Sequence, residues 1–254
     1  MSVYTCYDMI ADCRAGKPDG YLFLAHEFVP PLRWLNGRYG GSKDSLHRLL
    51  SSLRDFPPLD PLPEREFLVA LRPRVLQHTG WQGGRAQTLD LDSLSAALAE
   101  LTLLERQLVW LHILDFDTPE AARIMRVSTD TAVKTLDQAN EALRTSLDRW
   151  SLDILRANSG ILTAQAESSP PGEPVLIRHY LEIIDGRMTW QNRVRVDRAL
   201  LASWNEVQRF CIVREADAAK RDHPPIPLEQ AAPYLELLGV TPPKPSLLKR
   251  LLAR

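Results

Sequence analysis

Apolar residues recur along this chain with the period of helices almost throughout. The first stretch, GYLFLAHEFVPPLRWLNGRY at residues 20–39, has helical spacing interrupted by Pro30 and Pro31. A proline inside a helix removes a donor and clashes with the preceding turn, so a stop or kink is predicted there. Gly40 and Gly41 close the stretch, and Ser42 is placed to cap a helix carrying Leu46, Leu49, Leu50 and Leu53. After the proline-rich FPPLDPLPE, a third stripe comprises Phe67, Leu68, Leu71 and Val75. These elements predict a small helical domain over residues 1–80. Gly83, Gly84 and aperiodic polar residues then predict a linker over 81–92.

Ser93 is expected to cap a helix running through Ala97, Leu98 and Leu101. Thr118 is expected to cap a short helix with Pro119 at its first position and Ala121, Ala122, Ile124 and Met125 along it. A break at Arg126, Val127 and Ser128 follows. Beyond it, Ala132, Leu136, Ala139 and Leu143 repeat at four, three and four, one face of a longer helix. A short helix, a tight turn and a longer helix make a helix-turn-helix, whose second helix can enter a DNA major groove. The pattern continues through Leu147, Trp150 and Ile154, giving a second domain over 93–158. QAESSPPGEP, at residues 165–174, reads as the core of a linker over 159–174. Residues 175–222 hold two helical patterns around Asp185 and Gly186, and a Pro-rich tail over 223–254 has helical propensity at 228–238 and ends in LLKRLLAR. The fold class expected is therefore all-α: two small helical domains plus a C-terminal helical domain.

The formal net charge is -1 over 254 residues, so any nucleic-acid contact must rest on a local basic patch. Cys6, Cys13 and Cys211 form no CxxC pair, which fits a reducing compartment and no metal. None of the six histidines has a histidine four residues on, and no cofactor is implied. Without a phosphate loop, nucleophile elbow or HExxH, a binding protein is expected rather than an enzyme. A basic start with an apolar run is missing, and no 18 apolar residues are consecutive, so a cytoplasmic protein without a membrane partner is expected.

Residues 101–144 resemble region four of the sigma-70 family of RNA polymerase sigma factors, particularly its extracytoplasmic-function group. The matching residues are Glu105 with Arg106, Glu120 with Ala122, Val127 with Ser128, Thr131, and Ala142 with Leu143 and Arg144, in one gap-free register. Residues 20–78 are similar to region two, with SKDSLHRLLSSL in the place of the clamp-binding helix. The resemblance implies RNA polymerase core and promoter DNA as partners, with a regulatory protein as a further one. DNA would be met by Thr129, Thr131, Lys134, Thr135 and Gln138, on a framework of Glu120, Ala122, Val127 and Ser128.

HYLEIIDGRMTWQNRVRVDRALLASWNEVQRFC looks like an anti-sigma domain with its Asp-Gly turn, but Leu200, Trp204 and Val207 stand where zinc ligands would be. The recognition helix also departs from the family, with Lys134 and Arg144 against Asp130, Asp137 and Glu141. Carboxylates facing phosphates oppose binding. Arg126 occupies a turn position where the family has Gly, at a cost of about 1 kcal/mol if φ is positive. In the clamp-binding segment Asp44 is accompanied by His47 and Arg48 rather than by acids. Two functions follow: a sigma-factor-like transcription initiation regulator, or a degenerate sigma mimic, equally a fused sigma and anti-sigma-like module, that binds protein and does not read DNA.

Overall fold

A computed structural model describes residues 4–54, 62–85, 90–147, 151–168 and 175–241. Among them the chain is all-α, with no strand. The helices are α1 (Cys6–Arg14), α2 (Pro18–Arg38), α3 (Lys43–Ser52), α4 (Glu64–Thr79), α5 (Leu91–Ala99), α6 (Leu103–Ile113) and α7 (Thr118–Met125). They continue as α8 (Thr129–Ser146), α9 (Leu152–Ala157), α10 (Ser159–Ser168), α11 (Ile177–Ile184), α12 (Trp190–Ala202), α13 (Trp204–Asp222) and α14 (Leu228–Leu237). The chain divides into two compact units, Met1–Trp81 with Ala216–Arg254, and Gln82–Glu215, so the boundary falls within α13. No helix among the described residues is long and apolar enough to cross a membrane.

In the first unit, apolar faces of α1 to α4 share a core with α14 and the last turns of α13. Helix α1, which apolar spacing alone does not announce, starts from a reciprocal cap. The Thr5 hydroxyl accepts from the Asp8 amide, and the Asp8 carboxylate accepts from the Thr5 amide at 2.8 Å. Gly20 lets α1 and α2 approach closely, since a Cβ there would lie 2.6 Å from the backbone nitrogen of Cys13. Cys6 and Cys13 are free thiols inside this core, and burial pushes both up to about 12.

Pro30 and Pro31 do not end or visibly divide the long helix: α2 runs unbroken from Pro18 to Arg38. The two missing amide hydrogens free the carbonyls of His26 and Glu27, four residues earlier. The C-terminal segment takes both. The Ile226 amide donates to the His26 carbonyl at 3.1 Å, and the Lys220 ammonium donates to the Glu27 carbonyl at 3.3 Å. Lys220 also pairs with the carboxylates of Glu27 and Glu64 and lies 5.0 Å from the ring centre of Phe28. Residues 228–237, expected in a tail, thus form α14 inside the first unit, packed on α2 and α3.

The second unit joins the helix-turn-helix to most of the segment expected as a separate C-terminal domain. Residues 175–222 form three helices rather than two, because Ser203, extended, separates α12 from α13. Gly186, at φ 67, makes the turn after α11. Tyr180 on α11 stacks on Phe210 of α13 at 4.7 Å, and its hydroxyl donates to the fully buried Glu206 carboxylate. Glu206 also accepts from Arg209 at 2.8 Å, so the buried charge is paired. Burial and Glu206 together push the Tyr180 hydroxyl well above its ordinary value. Leu200 and Val207 are buried, and the ring of Trp204 sits 5.7 Å from that of Trp110.

Residues 159–168, expected as the start of a linker, are helix α10. Residues 82–85, expected in the first linker, are tied to its beginning: the Gly160 amide donates to the Gly84 carbonyl at 2.7 Å, and the Gly84 amide to the Ser159 hydroxyl at 2.6 Å. Trp150, the rest of that second linker at 169–174 and the basic end at 242–254 lie outside the described residues.

Candidate functional site

The helix-turn-helix is α7, the turn at Arg126 to Ser128, and α8, with α6 and α8 packed together behind it. Its first helix is capped one residue earlier than the spacing suggests. The Asp117 carboxylate accepts from the Glu120 amide at 2.7 Å, which puts Thr118 and Pro119 at the first two helical positions. Helix α5 is also capped upstream of the expected residue, three positions before Ser93, with Asp90 as the cap and the Ser93 amide its donor at 3.3 Å. In both cases an aspartate just upstream outcompetes the hydroxyl, since either residue type can accept from the third helical amide.

Arg126 ends α7 in the left-handed region, at φ 58 and ψ 41. Its amide donates back into the helix, and the Val127 amide reaches the Ala122 carbonyl at 3.0 Å. That closure is what a glycine would make more cheaply. The side chain supplies a reason for arginine: its Nη1 donates to the Ile184 carbonyl at the C-terminal end of α11, at 3.1 Å. Cations are favoured where helix carbonyls lack partners. Arg214 of α13 reaches the Met125 carbonyl at 3.5 Å and the Gln107 side chain at 3.0 Å. Residues of the C-terminal segment therefore grip the turn within one unit.

Ser128 caps α8, accepting from the Thr131 amide at 3.1 Å, and the two hydroxyls lie 2.8 Å apart. Of the framework positions, Ala122 is buried, while Glu120 and Val127 are half-buried. Glu105 and Arg106, the other polar matches, are also held by local structure. Glu105 and Thr102 form a reciprocal cap, and the buried Arg106 guanidinium donates to the carbonyls of Leu101 at 2.9 Å, Leu201 at 2.7 Å and Ala99. Glu105 and Ser128 thus cap helices, and Arg106 joins α5, α6 and α12.

Of the five residues expected to meet DNA, Thr129, Thr131, Lys134 and Gln138 are exposed on α8. Thr135 is not: at 8% exposure it belongs to the inward face with Ala132, Leu136, Ala139 and Leu143. Helical geometry explains the correction, because position 135 lies three residues after 132 and four before 139. The outward face includes residues that the DNA reading left aside. Asp130, Val133, Lys134, Asp137, Gln138 and Glu141 line one shallow depression along the helix. Three carboxylates stand there against one ammonium, and Val133 is 44% exposed.

Among the described residues, no three His, Cys, Asp or Glu side chains gather as a metal-binding group. Comparison of the chain with protein-family models, with curated proteins and with solved structures finds no match.

Proposed function

We propose that this protein is a sigma-factor-like transcription regulator that acts by binding, the first unit docking on RNA polymerase core and the helix-turn-helix meeting promoter DNA. One observation carries the reading. A short helix, a left-handed turn and a Ser128-capped second helix present Thr129, Thr131, Lys134 and Gln138 outward near the start of α8. Those are the positions from which a recognition helix reaches base edges. Binding and positioning are the whole mechanism, with no covalent step.

A second reading, a sigma mimic or a fused sigma and anti-sigma-like module that binds protein, is favoured by the charge of the same face. Asp130, Asp137 and Glu141 flank Lys134 along α8. Phosphate repels carboxylates, whereas a cationic protein surface pairs with them.

The test is a pull-down of the full chain with core polymerase, followed by mobility shift of promoter fragments at low salt. Retention of polymerase with a promoter shift, weakened by Lys134→Ala and with a salt slope reduced by about 0.9, is the expected result. Retention of polymerase or a regulator without any shift, with Lys134→Ala silent, selects the second reading. Loss of both polymerase retention and DNA shift overturns the proposal.

A further inference from the structure

The first unit holds a cavity of about 350 Å³ among α2, α3 and α14. Small ligands occupy cavities of about 300–1,000 Å³. The rim is basic and comes from two helices, with Arg33 on α2 and Lys43 and His47 on α3, and Tyr234 of α14 stands beside them. No carboxylate lines it among the described residues. Asp44, the nearest acid along α3, is exposed and lies outside the lining. On α14, at about 100° per residue, Glu229 and Glu236 lie about 140° and 160° around the helix from Tyr234. Glu27 of α2 is already paired with Lys220.

The wall between α2 and α3 is built around Asn36, which is buried. Its amide donates to the Ser42 carbonyl at 2.9 Å, and its side-chain oxygen accepts from the Ser45 hydroxyl at 2.7 Å. The backbone approaches so closely there that a Cβ on Gly41 would collide with the Asn36 side chain. Gly37 has the opposite surroundings: a Cβ there would meet nothing within 4 Å. A glycine inside a helix weakens it, and here no neighbour demands one. Gly37 lines the cavity one turn after Arg33, so a larger side chain at 37 would take up space inside it.

The Arg33 guanidinium lies over the Tyr234 ring, 5.8 Å from its centre, and donates to its hydroxyl. A guanidinium has five N–H donors, so most of its fork is left for an oxyanion, and the tyrosine hydroxyl still has its own hydrogen to donate. Lys43 and His47 form no ion pair among the described residues. A cleft lined by one sign of charge concentrates the opposite ion. Arg33 and Lys43 supply two positive charges, close to what a phosphate monoester carries in the opposite sign.

We propose that this cavity binds a small phosphorylated molecule, its phosphate monoester held by the Arg33 fork and the Lys43 ammonium, with Tyr234 and His47 at its side. Gly37 leaves room for the rest of the ligand, against Leu46. The site is in the first unit, apart from α8, and requires neither a promoter nor RNA polymerase. One concave site with two fixed cations fits a single phosphate group, whereas a nucleic-acid backbone needs a track of them.

The test is a phosphorus NMR titration of ribose phosphate with the full chain at low salt. Saturable one-to-one binding, displaced by inorganic phosphate and not by ribose, is the expected result. The double variant Arg33→Ala with Lys43→Ala and the single variant Gly37→Leu are each expected to weaken binding at least about tenfold, the first by removing charge-assisted hydrogen bonds and the second by filling the cavity. The thermal midpoint of Gly37→Leu should equal or exceed that of the parent chain, because leucine favours the helix and meets open space. Lys134→Ala, the probe of promoter binding on α8, leaves ribose phosphate binding unchanged, so the two sites fail or succeed separately. The proposal is overturned if ribose phosphate is not bound at millimolar concentration, or if the cavity variants bind it as the parent chain does. It is also overturned if oligothymidylate or polyglutamate is bound through Arg33 and Lys43 and ribose phosphate is not, which would mark a docking face for nucleic acid or for an acidic protein.

Discussion

At the scale of single residues, Arg126 shows how one side chain reconciles a costly backbone with a tertiary need. A left-handed residue costs about 1–2 kcal/mol for side chains with a Cβ, yet the Arg126 guanidinium donates to the Ile184 carbonyl at 3.1 Å. Alanine keeps the backbone penalty and loses the hydrogen bond, whereas glycine loses the bond but relieves the backbone. Arg126→Ala should therefore be less stable than Arg126→Gly by about 1 kcal/mol, as read from urea midpoints.

His112 makes a second prediction at this scale. Both its ring nitrogens are buried without hydrogen-bond partners. Burial first, and then the Arg156 charge, hold its pKa below the ordinary 6.5, with Asp153 opposing. The unfolded chain thus takes the proton more readily than the folded one. Stability from this group is full above pH 6.5 and is lost as pH falls through the depressed folded value. Lowering pH from 7.5 to 5.5 should reduce the urea midpoint of the parent chain, and His112→Gln should flatten part of that fall.

At the scale of elements, α2 is continuous because its two internal prolines are compensated from outside the helix. Lys220 is central, since it serves the Glu27 carbonyl, the Glu27 and Glu64 carboxylates and the Phe28 ring together. Its side chain and that of Glu27 are 14% and 15% exposed, so removing one leaves a largely buried charge. Lys220→Met should destabilise the first unit by about 3 kcal/mol. Adding Glu27→Leu should recover much of that loss, because two apolar groups replace a pair rather than stranding half of it. Thermal melts of the parent, single and double variants would measure both effects. A melt of Lys220→Met within 1 °C of the parent would contradict this role.

At the scale of the whole molecule, the C-terminal third is divided between the two units. Residues up to Glu215 complete the second, and Ala216 onward complete the first. A chain ended after Asn158 lacks Tyr180, Glu206, Phe210, Lys220, Ile226 and α14. Such a chain should lose protection of α2 amides in hydrogen exchange, because the His26 and Glu27 carbonyls lose their partners and α2 loses α14. Protection equal to that of the full chain would show that α2 is stable without these residues. For the same reason, binding to polymerase or nucleic acid is to be measured on the full chain.

Local sequence was enough for the all-helical class and for much of the element order. Leu46, Leu49 and Leu50 mark α3, Ser42 caps the helix assigned to it, and Ala132, Leu136, Ala139 and Leu143 mark the buried face of α8. These features are legible because they depend on residues within one or two helical turns. The same periodicity puts Thr135 inward, so its burial too is legible in the spacing of its neighbours. Tertiary structure alone decided that α2 crosses Pro30 and Pro31, that Arg126 has a distant carbonyl to bind, and that residues 216–238 belong with residues 4–81. Partners for those groups lie about 60 to 200 residues away. No local period encodes such a pairing, since it arises only when folding buries polar groups that then require hydrogen bonds.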